Sequence, residues 1–183
     1  MEIKEDFYTI EICGIKRDLP LARVAPGLRV ALLNILGDTE FVKAVTPDIC
    51  AMIPDDAEVL LHPEGKGIPL VCEAASYTGL PYVVPRKAKK QWMLEPISTD
   101  VKSITTGKSE KYWLDRRELH KIKGKKVAIV DDVISTGSTL TAMEDLVAKT
   151  GGTVVARVAI FTEGDERDDV GTLGHLPLFF DEE

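Results

Sequence analysis

Apolar and polar residues alternate from Phe7 to Ile12, Gly14 supplies a turn, and Ile15 to Val24 can return as a second extended run. The chain therefore opens on a predicted β-hairpin. Ala25, Pro26 and Gly27 break it, and a strongly apolar run from Leu28 to Leu36 follows. The period then changes: Asp38 or Thr39 can cap a helix that carries Phe41, Val42, Val45 and Ile49 on one face. Glu58 to Leu61 is the first run with the character of a buried strand. Ile68 to Thr78 has helical spacing with Leu70, Val71, Ala74 and Ala75 inward and Gly79 as its stop, and Pro81 to Val84 is the next strand. Residues 95–117 are polar, and a long irregular stretch of this kind inside a domain is usually functional or mobile. Val127 to Val130 is a continuous apolar run, as in a strand covered on both faces, and is expected to end at Asp131 and Asp132 because two adjacent carboxylates resist unpaired burial. A helix from Leu140 to Lys149, a stop at Gly151 and Gly152, and a strand from Thr153 to Phe161 complete the pattern. Strands alternating with helices predict a doubly wound α/β fold with a mostly parallel sheet and right-handed crossovers.

At 183 residues the chain fits one domain spanning 1–183. A formal net charge of −7 argues against a sequence-independent nucleic-acid binder, so no nucleic-acid partner is expected. The three cysteines, Cys13, Cys50 and Cys72, are odd in number and lack C-x-x-C spacing, which points to a reducing cytoplasm rather than a disulfide framework. The N-terminus has no apolar core of a signal peptide, and no run approaches the roughly 20 apolar residues of a membrane span, so no membrane partner is expected either. His62, His120 and His175 show no ligand spacing and predict no histidine-based metal site.

The chemistry concentrates in VAIVDDVISTGSTL, Val127 to Leu140. Ser135, Thr136, Gly137, Ser138 and Thr139 bring hydroxyls, backbone N–H groups and a glycine to a helix start, where unsatisfied donors and the positive end of the dipole favour a phosphate. Ionised Asp131 and Asp132 accept hydrogen bonds only, so they suit the two hydroxyl donors of a ribose. Acidic pair and phosphate turn together describe a ribose 5-phosphate. The plainer alternative is a βα loop in which Ser or Thr caps the helix. A second candidate is HPEGKGIPL, where Gly65 and Gly67 allow close backbone approach and Lys66 adds a mobile cation suited to pyrophosphate; the alternative is a turn with a solvated lysine. Neither G-x-x-x-x-G-K-[ST] nor G-x-G-x-x-G occurs. A third is PRKAKKQW, whose Arg86, Lys87, Lys89 and Lys90 stand after a strand in an acidic protein and can focus a polyanion, against the alternative of a solvated loop.

The string VAIVDDVISTGSTL resembles the phosphoribosyl-pyrophosphate motif of the type I phosphoribosyltransferases, nearest to the purine enzymes of adenine and xanthine type. The resemblance implies transfer of a phosphoribosyl group from 5-phosphoribosyl 1-pyrophosphate to a nitrogenous base, a purine by preference, with pyrophosphate released and Mg²⁺ as cofactor. Asp131 and Asp132 would contact the ribose and, directly or indirectly, the metal; Ser135 to Thr139 would hold the 5-phosphate. Glu64, Gly65, Lys66 and Gly67 align with the pyrophosphate loop, where Lys66 replaces a commoner arginine, and Arg86, Lys87 and Lys90 match a basic stretch that contacts pyrophosphate. Phe161 is expected either to pack on the base or to belong to the core, and Glu163 to face a base edge or a neighbouring loop. APGLRVALLNILGDTEF is similar to the N-terminal region of adenine enzymes; about 1–50 and 162–183 would form a hood over the base, and about 95–117 a two-stranded flap that closes on the site. The flap carries Ser103, Ile104, Thr105, Thr106 and Gly107 where adenine-type members carry L-E-Y-G, a pattern closer to xanthine-type members. The missing flap glutamate leaves open a non-catalytic regulator that keeps the nucleotide site. No Cys-x5-Arg supports a phosphatase. Phe179 and Phe180 in the tail make a homodimer the expected assembly.

Overall fold

The computed structural model describes residues 6–101 and 110–180. The opening hairpin forms as its alternation requires: β1 (Phe7–Ile12) pairs antiparallel with β2 (Ile15–Ala25), from Phe7 opposite Pro20 to Ile12 opposite Ile15. β3 (Leu28–Ala31) continues the meander. α1 (Thr39–Ala51) starts where Asp38 accepts a hydrogen bond from the Phe41 N–H at 3.1 Å, and buries Phe41, Val42, Val45 and Ile49. Next come β4 (Val59–Leu61), α2 (Ile68–Thr78, ended by a left-handed Gly79) and β5 (Tyr82–Val83). β6 (Ile97–Val101) and β7 (Glu110–Leu114) form a separate antiparallel ribbon, and a 3-10 turn over Arg116–Lys121 leads to β8 (Lys126–Ile134). The chain closes with α3 (Ser138–Thr150), β9 (Thr153–Glu163), β10 (Gly171–Leu176) and β11 (Leu178–Phe180).

The central sheet has the order β10-β9-β8-β4-β5, with every neighbouring pair parallel. The chain leaves β4 towards β5 on one side and returns as β8 on the other, so β4 and β8 bound a topological switch point; in open α/β sheets the crevice beyond such strand ends is where ligands bind. One face buries Phe41, Ile49, Leu70, Val130 and Ile160 under α1, α2 and the β1-β2-β3-β11 sheet; the other buries Val59, Leu61, Ile129 and Leu146 under α3 and the ribbon. This is the doubly wound α/β architecture predicted above.

Three boundaries differ from expectation. β8 does not stop at Asp131 but runs on to Ile134, because its ladder with β9 continues through Asp131 opposite Ala159 to Ile134 opposite Thr162. α3 begins two residues early, at Ser138. α1 and β10 lie within the segments expected to form the hood, yet α1 packs on the central sheet and β10 is one of its strands; the antiparallel sheet over that face uses residues 7–31 and 178–180. Among the described residues no helix is long and apolar enough to cross a membrane.

Candidate active site

The turn after β8 is an open cradle. Gly137 takes the left-handed φ of +77° and occupies the N-cap of α3, so the cap residue itself offers no side chain, and the only hydroxyl bond to the helix start among the described residues is a long one, from the Ser138 N–H to Thr136 Oγ1 at 3.4 Å. A cavity of about 150 Å³, lined by Asp131 and the run from Ser135 to Leu140, sits at this helix start. Thr136 Oγ1 and Ser138 Oγ lie 2.9 Å apart at its rim. Arg167, paired with Asp169 at 3.0 and 2.7 Å, covers Gly137 so closely that a β-carbon there would collide with the guanidinium. From the ribbon, Tyr112 is buried and its phenol is hydrogen-bonded to Thr139.

Asp131 and Asp132 are both buried at the end of β8, which is tolerated because each has polar company. The Asp132 N–H donates to Asp131 Oδ1 at 2.9 Å. Burial, then the adjacent Asp132 charge, pushes the Asp131 carboxyl well above the usual carboxylate range, while Lys87 pulls it down. Beside the pair, at the end of β4, lies His62, 1% exposed. Its Nδ1 is 2.8 Å from the Val130 carbonyl and 3.5 Å from Asp131 Oδ1. Burial, against the pull of the Val130 carbonyl and the Asp132 charge, lowers its pKa and favours a neutral ring. A carbonyl can only accept, so Nδ1 carries the hydrogen and Nε2 keeps a bare lone pair; that atom is buried without a partner. The ring lies directly against Gly67: a β-carbon on Gly67 would overlap it and come within 3.2 Å of the Asp132 backbone N.

The two anion loops meet at the ends of β4 and β5, and the structure redistributes the roles expected of their side chains. Glu64 does not face the crevice as a free acid. It accepts from Arg86 at 2.8 Å and from the Lys87 N–H at 2.7 Å, joining the loops. Arg86 is thereby engaged, and its backbone also bridges Trp113 of β7 in both directions at 2.8 Å, which hangs the ribbon on the basic loop. Lys66 is not a mobile cation either; its ammonium donates to the Leu33 carbonyl at 2.6 Å. Lys87 lies within electrostatic reach of Asp131 and His62, and Lys90 of Glu64. Lys89 instead sits 5.8 Å from the Trp113 ring centroid.

On the opposite side of the acid pair, β9 ends in Phe161, Thr162 and Glu163. Phe161 is 3% exposed and packed under Gly174 and within the core cluster, so of its two expected places it takes the core. Glu163 is half-buried and hydrogen-bonded to Ser135 at the mouth of the cradle, within electrostatic reach of His175 and Lys66. The flap positions Thr105 and Thr106 lie outside the described residues. A hollow of about 420 Å³ joins Thr136, Gly137 and Ser138 to Asp100 and Asp145. Two larger ones lie elsewhere, about 580 Å³ beside Thr162, Arg167 and His175 and about 570 Å³ between Tyr82, Trp92 and Arg117. They hold only Arg86 of the residues predicted to bind ligand.

Residues 49–172 match the sequence model of the phosphoribosyl transferase domain. The chain belongs to the phosphoribosyltransferase family. Hypoxanthine/guanine phosphoribosyltransferase of Methanothermococcus okinawensis is 31% identical over 136 residues, 74% of this chain and 70% of that one. Adenine phosphoribosyltransferase from Thermoanaerobacter pseudethanolicus has the same fold, with a TM-score of 0.67 at 20% identity over 92% of this chain and 95% of that one. A Trypanosoma brucei adenine phosphoribosyl transferase, solved with AMP, pyrophosphate and ribose-5-phosphate, superimposes with a TM-score of 0.59 at 20% identity, covering 77% and 67%.

In this phosphoribosyltransferase two site residues escaped sequence reasoning, His62 and Tyr112. His62 follows a three-residue strand and immediately precedes the glycine loop, and that adjacency was its one signal. Tyr112 had none, since its contact with Thr139 depends on how the ribbon packs.

Proposed function

We propose that the protein transfers the phosphoribosyl group of 5-phosphoribosyl 1-pyrophosphate to a purine, releasing pyrophosphate. The observation that carries the reading is the convergence at one switch point of an uncapped phosphate cradle, a buried acid pair and two anion loops. In this reading the 5-phosphate takes the backbone donors of Ser135 to Thr139 and the hydroxyls of Thr136, Ser138 and Thr139, the ribose hydroxyls donate to Asp131 and Asp132, and Gly65, Gly67, Lys87 and Lys90 hold the pyrophosphate. As pyrophosphate leaves, positive charge grows at the anomeric carbon, and the acid pair below it offsets that charge. Lys66 and Arg86 keep the loops in place through Leu33 and Glu64.

The donor set also fits magnesium. Asp131 and Asp132 offer carboxylate oxygens, and among the described residues no group of three acidic, His or Cys side chains gathers to cage an ion. Such an ion takes one or two carboxylates and completes its shell from substrate oxygens and water. When bound it neutralises the pyrophosphate leaving group. Three free cysteines accord with a cytoplasmic setting. Phe180, 70% exposed, supports a homodimer, whereas Phe179 is accounted for by its edge contact with Tyr8 at 5.3 Å; light scattering at twice the chain mass is the expected result.

Among purines, hypoxanthine and guanine are the favoured acceptors, because the relative of that activity is 31% identical and the flap lacks an adenine-type glutamate. The test is pyrophosphate release with Mg²⁺, the donor and a panel of adenine, guanine, hypoxanthine, xanthine and orotate. Nucleotide formed from hypoxanthine or guanine is expected. Donor binding with no product from any base would instead establish the regulator. Replacing Asp131 and Asp132 by Asn removes charge-assisted hydrogen bonds worth about 1.5–3 kcal/mol each, so donor affinity should fall by about tenfold or more.

A further inference from the structure

A purine that attacks the anomeric carbon must lose the proton of its five-membered ring, and the acids placed at the donor are committed. On the transferase reading Asp131 and Asp132 are taken by the ribose, and Glu64 is held by Arg86 and the Lys87 N–H. Sequence offers no acid between Ser103 and Gly107. The proton acceptor has to stand where the base does. On the same reading pyrophosphate takes the loops after β4 and β5 and the ribose the end of β8; with the sheet order β9-β8-β4-β5, displacement in line with the departing oxygen puts the base on the far side, over the end of β9.

That strand end presents one carboxylate. Residues two apart on a strand share a face, so Glu163 projects on the same side as Phe161, beyond the point where Phe161 is buried under Gly174. Ser135 at the mouth of the phosphate cradle is hydrogen-bonded to it, and Lys66, which bonds the Leu33 carbonyl between β3 and α1, lies within its electrostatic reach. Glu163 thus stands between the cradle and the covering sheet. We propose that Glu163 is the general base of the transfer, an inference that rests on the phosphoribosyltransferase reading. Its carboxylate accepts the ring N–H proton as the purine nitrogen bonds the anomeric carbon and pyrophosphate departs with the electron pair of the broken C–O bond. Ser135 orients the carboxylate. After product release the proton passes to water.

The local electrostatics suit the role. Burial raises the Glu163 pKa, while the Ser135 hydroxyl, His175 of β10 and Lys66 of the loop before α2 pull it down. A base whose pKa is moved towards the working pH is the more effective one. Because the ionised form is active, the rate should rise with pH through the raised Glu163 pKa.

The test is a pH–rate profile of the full-length protein with saturating donor, Mg²⁺ and its best purine, alongside donor binding by calorimetry. Glu163→Gln should lower kcat by about 100-fold or more, leave donor affinity within about twofold, and abolish the acid limb. An 8-aza analogue of the same purine, with a more acidic ring N–H, should lose less. Ser135→Ala removes a bond that stabilises the charged form, so its acid limb should move to higher pH; this variant carries the test if Glu163→Gln does not fold. An unchanged kcat and limb in Glu163→Gln, an unmoved limb in Ser135→Ala, or loss of the limb in Glu110→Gln instead would overturn the assignment while leaving the transfer activity standing. A wild-type protein that turns over no base would overturn the transferase reading itself.

Discussion

At the scale of single residues, the contact between Gly67 and His62 constrains the site through a buried ring. Gly67 has an ordinary φ of −79°, so no special backbone angle demands glycine there; what excludes a side chain is the imidazole against it. The ring has no room to give way, being 1% exposed and tied to the Val130 carbonyl at 2.8 Å. Gly67→Ala should therefore displace the loop, costing about 1–3 kcal/mol as overpacking and raising the KM for the donor by about tenfold. His62→Ala removes the obstacle, so the double variant should be less destabilised than the sum of the two, as read by urea unfolding. Strict additivity would sink the idea. The difference between Gly67 and His62 also marks what was legible in the sequence at this scale. Gly67, Asp131 and Asp132 could be found because glycine and paired acids have few other uses at a strand end. His62 could not be assigned a place, because its neighbours come from β8 and from the loop that folds back over it, and neither contact leaves a mark in the local pattern. The sequence predicts Lys66 and Arg86 as cations for a ligand, but their partners, Leu33 and Glu64, are supplied by the fold.

The elements themselves were read well where both ends carry a local signal. α2 runs from Ile68 to Thr78 as predicted, since Pro69 is admitted in a first turn and the left-handed Gly79 closes the last. The acids of β8 predict a strand end at Asp131, whereas the ladder to β9 and the Asp132 N–H make their burial tolerable and the strand runs on to Ile134. β10 falls in the tail expected to form the hood; residues 164–170 are fewer than the usual crossover, yet the strand returns parallel to β9. Asp38 shows how one capping residue can join elements. It caps α1 through the Phe41 N–H and receives Arg17 of β2 at 2.8 and 3.0 Å, fastening the antiparallel sheet to the helix. Asp38→Ala should lower stability by about 1–2 kcal/mol from the cap alone, seen as a drop of a few degrees in Tm. The Arg17 guanidinium holds the Asp38 carboxyl below its usual range, against the opposing pull of burial. A lowered folded pKa means that the stabilisation is present above the unfolded value of about 3.9 and disappears as pH falls through the folded one. The gap between wild type and Asp38→Ala should accordingly close in acid. A constant gap would mean that the helix cap needs no charge.

Across the whole molecule, the loops at 64–67, 86–90 and 131–139 lie far apart in the chain but end on β4, β5 and β8, which are neighbours. The alternation of strands and helices was enough to predict a parallel sheet with right-handed crossovers, so their approach to one another was foreseeable, while the order of side chains within the crevice was not. The same gathering shapes the electrostatic field. A chain of net charge −7 repels a polyphosphate donor over most of its surface, and the cations at one end of the sheet supply a local exception. On the proposed function Lys87 and Lys90 would be the pair that matters, because Arg86 is neutralised by Glu64 and Lys89 rests on Trp113. Fields of this kind accelerate encounter by about 10-fold or more at low salt and are screened as the Debye length shrinks from about 10 Å at 0.1 M to about 3 Å at 1 M. Raising the ionic strength should then depress kcat/KM for the donor steeply while leaving the KM of an uncharged purine nearly constant. Lys87→Ala and Lys90→Ala should each lower the donor value at low salt and flatten its salt slope, whereas Lys89→Ala should change the slope little. Initial rates at several salt concentrations, with each substrate varied in turn, decide the matter. Equal salt sensitivity for donor and purine, or a Lys89→Ala slope as shallow as that of Lys90→Ala, would show that the field acts through the protein as a whole rather than through these two side chains.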